Sequence, residues 1–144
     1  SETVAPSTNA IDISGARVLA AEDNRVNRKI LEAILVRSGC NITFAEDGEQ
    51  AIECAASGVF DIILMDLSMP GTDGFSAARA IQECAAERGL APIPIVALTA
   101  HVGDAYIERC LAAGMKGLLG KPFRSEEIVQ AIATYMTENR KIYP

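Results

Sequence analysis

None of the four cysteines in this 144-residue chain forms a C-x-x-C pair. Cys40, Cys54, Cys84 and Cys110 lie far apart, which argues against a zinc site or a thioredoxin-type motif and reads as four reduced thiols in a cytosolic protein. Long apolar runs are missing too; none approaches the ~18 residues of a membrane span. The stretch before Arg17, the first basic residue, has neither the charged nor the apolar segment of a secretory leader. Positive charge is scarce. Thirteen Lys+Arg against 19 Asp+Glu leave a formal charge of −6, with no basic excess for a nucleic acid or an anionic membrane. Neither G-x-x-x-x-G-K-[S/T] nor G-x-G-x-x-G occurs, so nucleotide-binding enzymes find no support.

What is present is globular: 49% hydrophobic and 22% charged residues. One domain is expected at this length, burying roughly 68–70% of the unfolded chain's surface. Residues 1–15, rich in Ser, Thr, Asn, Ala and Pro, read as a linker or tail, with the domain over 16–140 and a short tail over 141–144. From Arg17 onward short apolar runs (Val18 to Ala21, Ile42 to Ala45, Ile62 to Met65, Ile93 to Leu98, Leu118 to Leu119) alternate with segments of helical period. The last segment sets Ile128, Ala131, Ile132, Tyr135 and Met136 on one stripe, with Ser125 as its cap. Asp47 and Gln50 resemble a capping box for the second helix. Gly39, Gly58, Gly89 and Gly114 sit where left-handed residues end helices.

Strands apolar throughout imply burial on both faces, hence a parallel sheet between two helical layers. The expected fold is therefore a doubly wound α/β domain of five strand–helix units. Ligands of such folds bind beyond the carboxyl ends of the strands. Glu22 and Asp23 follow the first run, Asp66 ends the third, Thr99 follows the fourth and Lys121 the fifth. Taken singly, each is a common turn, cap or solvated residue. Together they place three carboxylates, a hydroxyl and an ammonium on one rim. Carboxylates so crowded repel one another unless a cation joins them. Mg²⁺ with a phosphoryl group fits this donor set, and an aspartate is then the candidate nucleophile.

Four blocks, Glu22-Asp23-Asn24, Met65 through Gly74, Leu98-Thr99-Ala100 and Lys121-Pro122-Phe123, together resemble the receiver domain of two-component response regulators over Arg17 to about Glu138. The resemblance implies a flavodoxin-like strand order 2-1-3-4-5. It implies Asp66 as phosphoacceptor from a phosphohistidine. Mg²⁺ would be bound by Asp23, Asp66 and the Ser68 backbone carbonyl, with Glu22 acting through a water. Thr99, Ala100 and Lys121 would meet the phosphoryl group, and the bond before Pro122 would be cis. Leu118 departs from the pattern, since many receivers carry an aromatic residue there, and this implies weaker coupling to the face of the fourth helix, fifth strand and fifth helix. His101, the sole histidine, is not read as a phosphocarrier.

The implied partner is a histidine kinase or histidine phosphotransfer domain, with no nucleic acid or membrane contact by this domain. A homodimer would form through the fourth helix, fifth strand and fifth helix. Ile13 to Leu19 leading into Glu22-Asp23-Asn24-Arg25-Val26-Asn27 resembles the entry to receivers of hybrid sensor histidine kinases. The expectation is a cytoplasmic receiver from the C-terminal end of such a kinase, with a stand-alone regulator as the alternative. The domain is not expected to be a turnover enzyme: aspartate-nucleophile phosphatases carry Asp-x-Asp, where this chain has Asp66-Leu67-Ser68.

Overall fold

In the computed structural model each of the five apolar runs becomes a strand of one parallel sheet. The structure describes residues 11–69, 71 and 73–142, with side chains in the last helix described through Met136. The elements alternate as β1 (Arg17–Ala21), α1 (Arg25–Arg37), β2 (Asn41–Ala45), α2 (Gly48–Ser57), β3 (Ile62–Asp66), α3 (Gly74–Glu87), β4 (Ile95–Thr99), α4 (Asp104–Ala112), β5 (Gly117–Gly120) and α5 (Ser125–Ile142). The sheet order is β2-β1-β3-β4-β5, as the resemblance implies. The strands are all parallel, but the direction in which the chain winds across the sheet reverses between β1 and β3, which opens a crevice at their carboxyl ends.

Because successive strand residues point to opposite faces, the continuous apolar runs feed two cores. Val18, Ala20, Ile62, Leu64, Val96 and Leu98 pack with Leu31 and Leu35 of α1 and Ile128 and Ile132 of α5. Leu19, Ala21, Ile63, Met65, Ile95 and Ala97 pack with Ala51, Phe75, Ile81 and Cys110 on the other side. β3 and β4 are buried at every position, while the edge strands β2 and β5 are only half-covered. Among the described residues no helix is long and apolar enough to cross a membrane.

Several local expectations need correcting. Ten residues of the expected linker lie outside the described residues, but residues 11–15 fold onto the domain. Ile13 is 1% exposed in the α1–α5 core, and the Gly15 N–H donates to the Gly39 carbonyl at 2.9 Å. At the other end α5 runs through Ile142, into the expected tail. The fourth run starts as a strand at Ile95, not Ile93. The Gln82 side-chain amide takes both backbone groups of Ile93, at 2.6 and 3.0 Å, and Pro94 has no N–H for a ladder.

Gly39, Gly89 and Gly114 adopt positive φ as expected, but Gly58 is extended at φ −125°. A side chain at Gly58 would meet the Phe60 ring at 2.9 Å, so close approach, not handedness, calls for glycine. Asp47 caps α2 through the Gln50 N–H at 2.8 Å, yet Gln50 Oε1 accepts from Glu46 rather than from the cap residue. Ser125 is the first residue of α5, and the Arg124 carbonyl accepts from Ile128 in the capping place.

Ile13 gives the first test. Truncating a fully buried isoleucine costs about 2–5 kcal/mol, so Ile13→Ala should lower the urea midpoint of unfolding accordingly. A midpoint unchanged from wild type would show that residues 11–15 contribute nothing to the fold.

Candidate functional site

The rim residues are carried by the last rungs of the sheet. Beyond β1 the Glu22 N–H donates to the Ala45 carbonyl, beyond β3 the Leu67 N–H donates to Leu98, and beyond β5 the Lys121 N–H donates to Thr99, at 3.0, 3.0 and 2.9 Å. Side chains at strand ends held this way are positioned by the sheet rather than by loops.

Glu22, Asp23 and Asp66 come together, with one ligand atom from each within 4.8 Å of the others. Glu22 and Asp66 are buried, at 0% and 1% exposure, whereas Asp23 is exposed to solvent. Lys121 Nζ stands 3.0 Å from Asp66 Oδ1 and 3.5 Å from Glu22 Oε1. Asp66 Oδ1 also accepts from the Ser68 N–H at 3.0 Å and the Ser68 hydroxyl at 2.9 Å. The Lys121–Pro122 peptide is cis.

One ammonium faces two buried carboxylates, and their protonation reflects this. Burial, then the neighbouring Asp66, pushes Glu22 up to about 7. Burial alone would raise Asp66 as well, but hydrogen bonding with Glu22, Ser68 and Lys121 outweighs it and holds Asp66 below the ordinary carboxylate range. Glu22 Oε2 accepts from the Asn24 N–H at 3.2 Å, while its buried Oε1 has no hydrogen-bond partner among the described residues. A buried oxygen met only by an ammonium at 3.5 Å is poorly satisfied, and here it sits among other carboxylate oxygens. Crowded carboxylates with an unsatisfied oxygen fit a hard divalent cation.

Thr99 is buried at 3% exposure, on the strand beside β3, where Leu98 is the register partner of Asp66. Its hydroxyl oxygen accepts the His101 N–H at 3.0 Å, a contact with the backbone of its own loop. Ala100 lies exposed in the bend that follows. Leu118 is half-buried against the α2–α4 core. Two features of the site escaped the sequence reading. At Gly74 a side chain would meet Leu67 at 2.7 Å and the Asp66 carbonyl at 3.1 Å, so α3 starts against the strand end that carries Asp66. The stacking of His101 on Tyr106, centroids 5.1 Å apart and planes 19° apart, had no sequence signal because the two lie five apart across a helix start.

A doubly wound sheet carrying a buried aspartate, two further carboxylates and a lysine at its switch point defines the class: an oxygen-donor site suited to a divalent cation and a phosphoryl group. Comparison with known proteins gives the family. Residues 18–133 match the response regulator receiver domain, and the chain belongs to that family. It is 37% identical to hybrid signal transduction histidine kinase I of Dictyostelium discoideum, over 93% of this chain and 8% of that protein. It is 35% identical to sensor protein GacS of Pseudomonas syringae pv. syringae, over 92% of this chain and 15% of the other.

Among solved structures, one similar chain is the receiver domain of a sensor histidine kinase from Pseudomonas aeruginosa PAO1, with a magnesium ion coordinated in its active site cleft. It is 37% identical with a TM-score of 0.74, over 86% of this chain and 99% of that one. Another, 28% identical with a TM-score of 0.81, covers 86% of this chain and 90% of its own. It comes from the co-crystal structure of the Saccharomyces cerevisiae histidine phosphotransfer signaling protein Ypd1 and the receiver domain of its downstream response regulator Ssk1. The chain thus spans a small part of its curated relatives.

The raised Glu22 predicts a pH dependence for the metal-free domain. A carboxyl group with a folded value near 7 against an ordinary 4.5 stabilises the fold fully below 4.5. That stabilisation is lost as pH rises through about 7. The lowered Asp66 acts in acid, below 3.8, outside this window. In EDTA the melting temperature should fall between pH 5 and 8, and Glu22→Gln should flatten the fall. Equal slopes in both proteins would place the titration elsewhere.

Proposed function

We propose that the domain accepts a phosphoryl group on Asp66 from a phosphohistidine, in a two-component phosphorelay. The observation that carries this is a carboxylate 1% exposed at a strand end, with Lys121 at 3.0 Å and two further carboxylates beside it. Asp66 stays ionised through its hydrogen bonds, as a nucleophile must. Its carboxylate oxygen attacks phosphorus and forms an O–P bond as the P–N bond to the imidazole breaks. The imidazole nitrogen keeps the electron pair and is protonated from solvent. Lys121 sets a fixed positive charge against the transferring oxygens, and Thr99, from β4, offers its hydroxyl to one of them with the Ala100 amide beside it. Such catalysis is positioning and charge stabilisation.

Mg²⁺ fits the donor set, with Asp23, Asp66 and the Ser68 carbonyl as direct ligands and Glu22 acting through a water. When bound it neutralises the carboxylates and the incoming phosphoryl oxygens. The phosphatase reading gains nothing from the geometry: at the position of the second aspartate stands Ser68, whose hydroxyl donates to Asp66.

The similarity to hybrid kinases supports a receiver working inside, or beside, such a kinase on the cytoplasmic side of a membrane. Its donor would be a kinase or phosphotransfer histidine. A second copy docking on α4, β5 and α5 would cover a groove of about 690 Å³ lined by Leu118 and Tyr135.

Intact mass after incubation with acetyl phosphate and Mg²⁺ tests the reading. Wild type should gain one phosphoryl group, and Asp66→Asn or wild type in EDTA should gain none. Lys121→Met should load on the order of 10²-fold more slowly, the cost of removing a preorganised charge. An adduct that persists in Asp66→Asn would overturn the assignment.

A further inference from the structure

The end of the sheet opposite Asp66 holds a pocket that the phosphoryl chemistry does not use. It lies between α2 and α3, bordered by the loop entering β3 and the loop entering β4, and has a volume of about 170 Å³. Ala55, Phe60, Ile81, Cys84, Ala85 and Ile93 wall it. Ala55, Ile81 and Ala85 belong to the core on that face of the sheet, so the floor of the pocket is fixed. Val59 and Leu90, both exposed, carry the apolar surface out to its mouth.

Protein interiors are packed to crystal-like density, and small residues keep this gap open. Two alanines face it where larger side chains would fill it, and at Gly58 a side chain would meet the Phe60 ring at 2.9 Å. Water gains little inside, because backbone groups at the border are already engaged. The Gly58 N–H donates to the Cys54 carbonyl at 2.9 Å and the Leu90 N–H to the Ala85 carbonyl at 2.8 Å. The Gln82 amide takes both backbone groups of Ile93. An apolar cavity of about 150 Å³ stays dry, yet it accepts a guest the size of benzene.

One charge marks the mouth. Arg88, the C-cap residue of α3, is the only charged side chain in the lining. Its guanidinium donates to the Ala56 carbonyl of α2 at 2.6 Å, which holds the head across the gap between the two helices. Among the described residues no carboxylate pairs with it. A guanidinium carries its remaining donors in a planar fork that matches a carboxylate.

We propose that this pocket binds a small apolar monocarboxylate, with a ring or branched chain of benzene size among the apolar walls and the carboxylate on Arg88. The cavity sets the size of the apolar part, and the unpaired guanidinium sets the charge. A cation would be repelled at the mouth, and a neutral guest would leave the guanidinium unanswered. The site stands apart from the phosphoacceptor reading, since none of its lining residues belongs to the Asp66 rim.

Titration of the full chain with sodium benzoate, followed through the amide signals by ¹H–¹⁵N NMR, tests this. Saturable shifts should appear at residues 58–60 and 88–93. Acetate has the carboxylate without the ring and benzyl alcohol the ring without the carboxylate, and each should bind about tenfold more weakly. Arg88→Met, which keeps an apolar stem, should reduce benzoate to the level of benzyl alcohol. Ala85→Leu fills the pocket and should abolish binding; Cys84→Phe, at a half-buried position, does the same should Ala85→Leu fail to fold.

No saturable shift up to about 20 mM benzoate overturns the proposal. So does benzoate bound as well by Arg88→Met, or by a folded filled variant, as by the wild type. Asp66→Asn should bind benzoate unchanged; a loss there would trace the signal to the phosphoryl site and overturn the proposal as well.

Discussion

One lysine answering two buried carboxylates is the constraint around which this domain is arranged. Lys121 Nζ reaches Asp66 at 3.0 Å and Glu22 at 3.5 Å, and Asp23 adds a third negative group at the solvent edge. The surplus charge must be met by a proton, which is what the raised Glu22 expresses, or by a cation. Burying such a cluster is unfavourable for folding. The sheet supports it because β3 and β4 are covered at every position and the ladder continues one rung past β1, β3 and β5. An apolar, fully paired frame thus holds a site that would relax apart by itself.

The same constraint explains where special backbone is spent. The five strands need no unusual residues. The demanding positions lie at the rim or at helix ends: Gly74, with no room for a side chain against Leu67 and the Asp66 carbonyl, and the left-handed Gly39, which lets the chain turn back into β2. Arg17 and Asp61 close the opposite end of the sheet, with two guanidinium nitrogens and the backbone N–H donating to one carboxylate at 2.9–3.1 Å. Charge at that end is balanced and structural. At the Asp66 end it is deliberately unbalanced, and that difference separates a staple from a reactive site.

Much of this was legible in the sequence because strands buried on both faces have no polar positions to disguise them. Ile62 to Met65 could be little else, and a carboxylate directly after such a run must stand at the sheet's edge. The strand order and the role of each rim residue came from the resemblance, since apolar runs do not say which strands are neighbours. Ile13 was hidden because Ile11 and Ile13, set among Asp, Ser and Gly, make too short a run to show a period, and only the fold shows the core gap that Ile13 fills. Gly58 was misread because glycine answers two different needs, handedness and space, and the Phe60 ring that decides between them packs through tertiary structure.

His101 and Tyr106 show where sequence reasoning meets its physical limit. Their contact is neither helical nor strand-like in spacing; it exists because the loop after β4 folds back over the first turn of α4. Adding roughly −1.5 to −2 charge at a phosphorylated side chain acts on whatever near it is held least firmly. The sheet is bound into both cores, α3 packs into one of them, and α1 and α5 share the core on the other face. α4, with Cys110 as its one buried residue, is tied to the core by a single side chain. Charge added at Asp66 thus meets a sheet and helices held in two cores, and beside them one helix held by a single buried side chain.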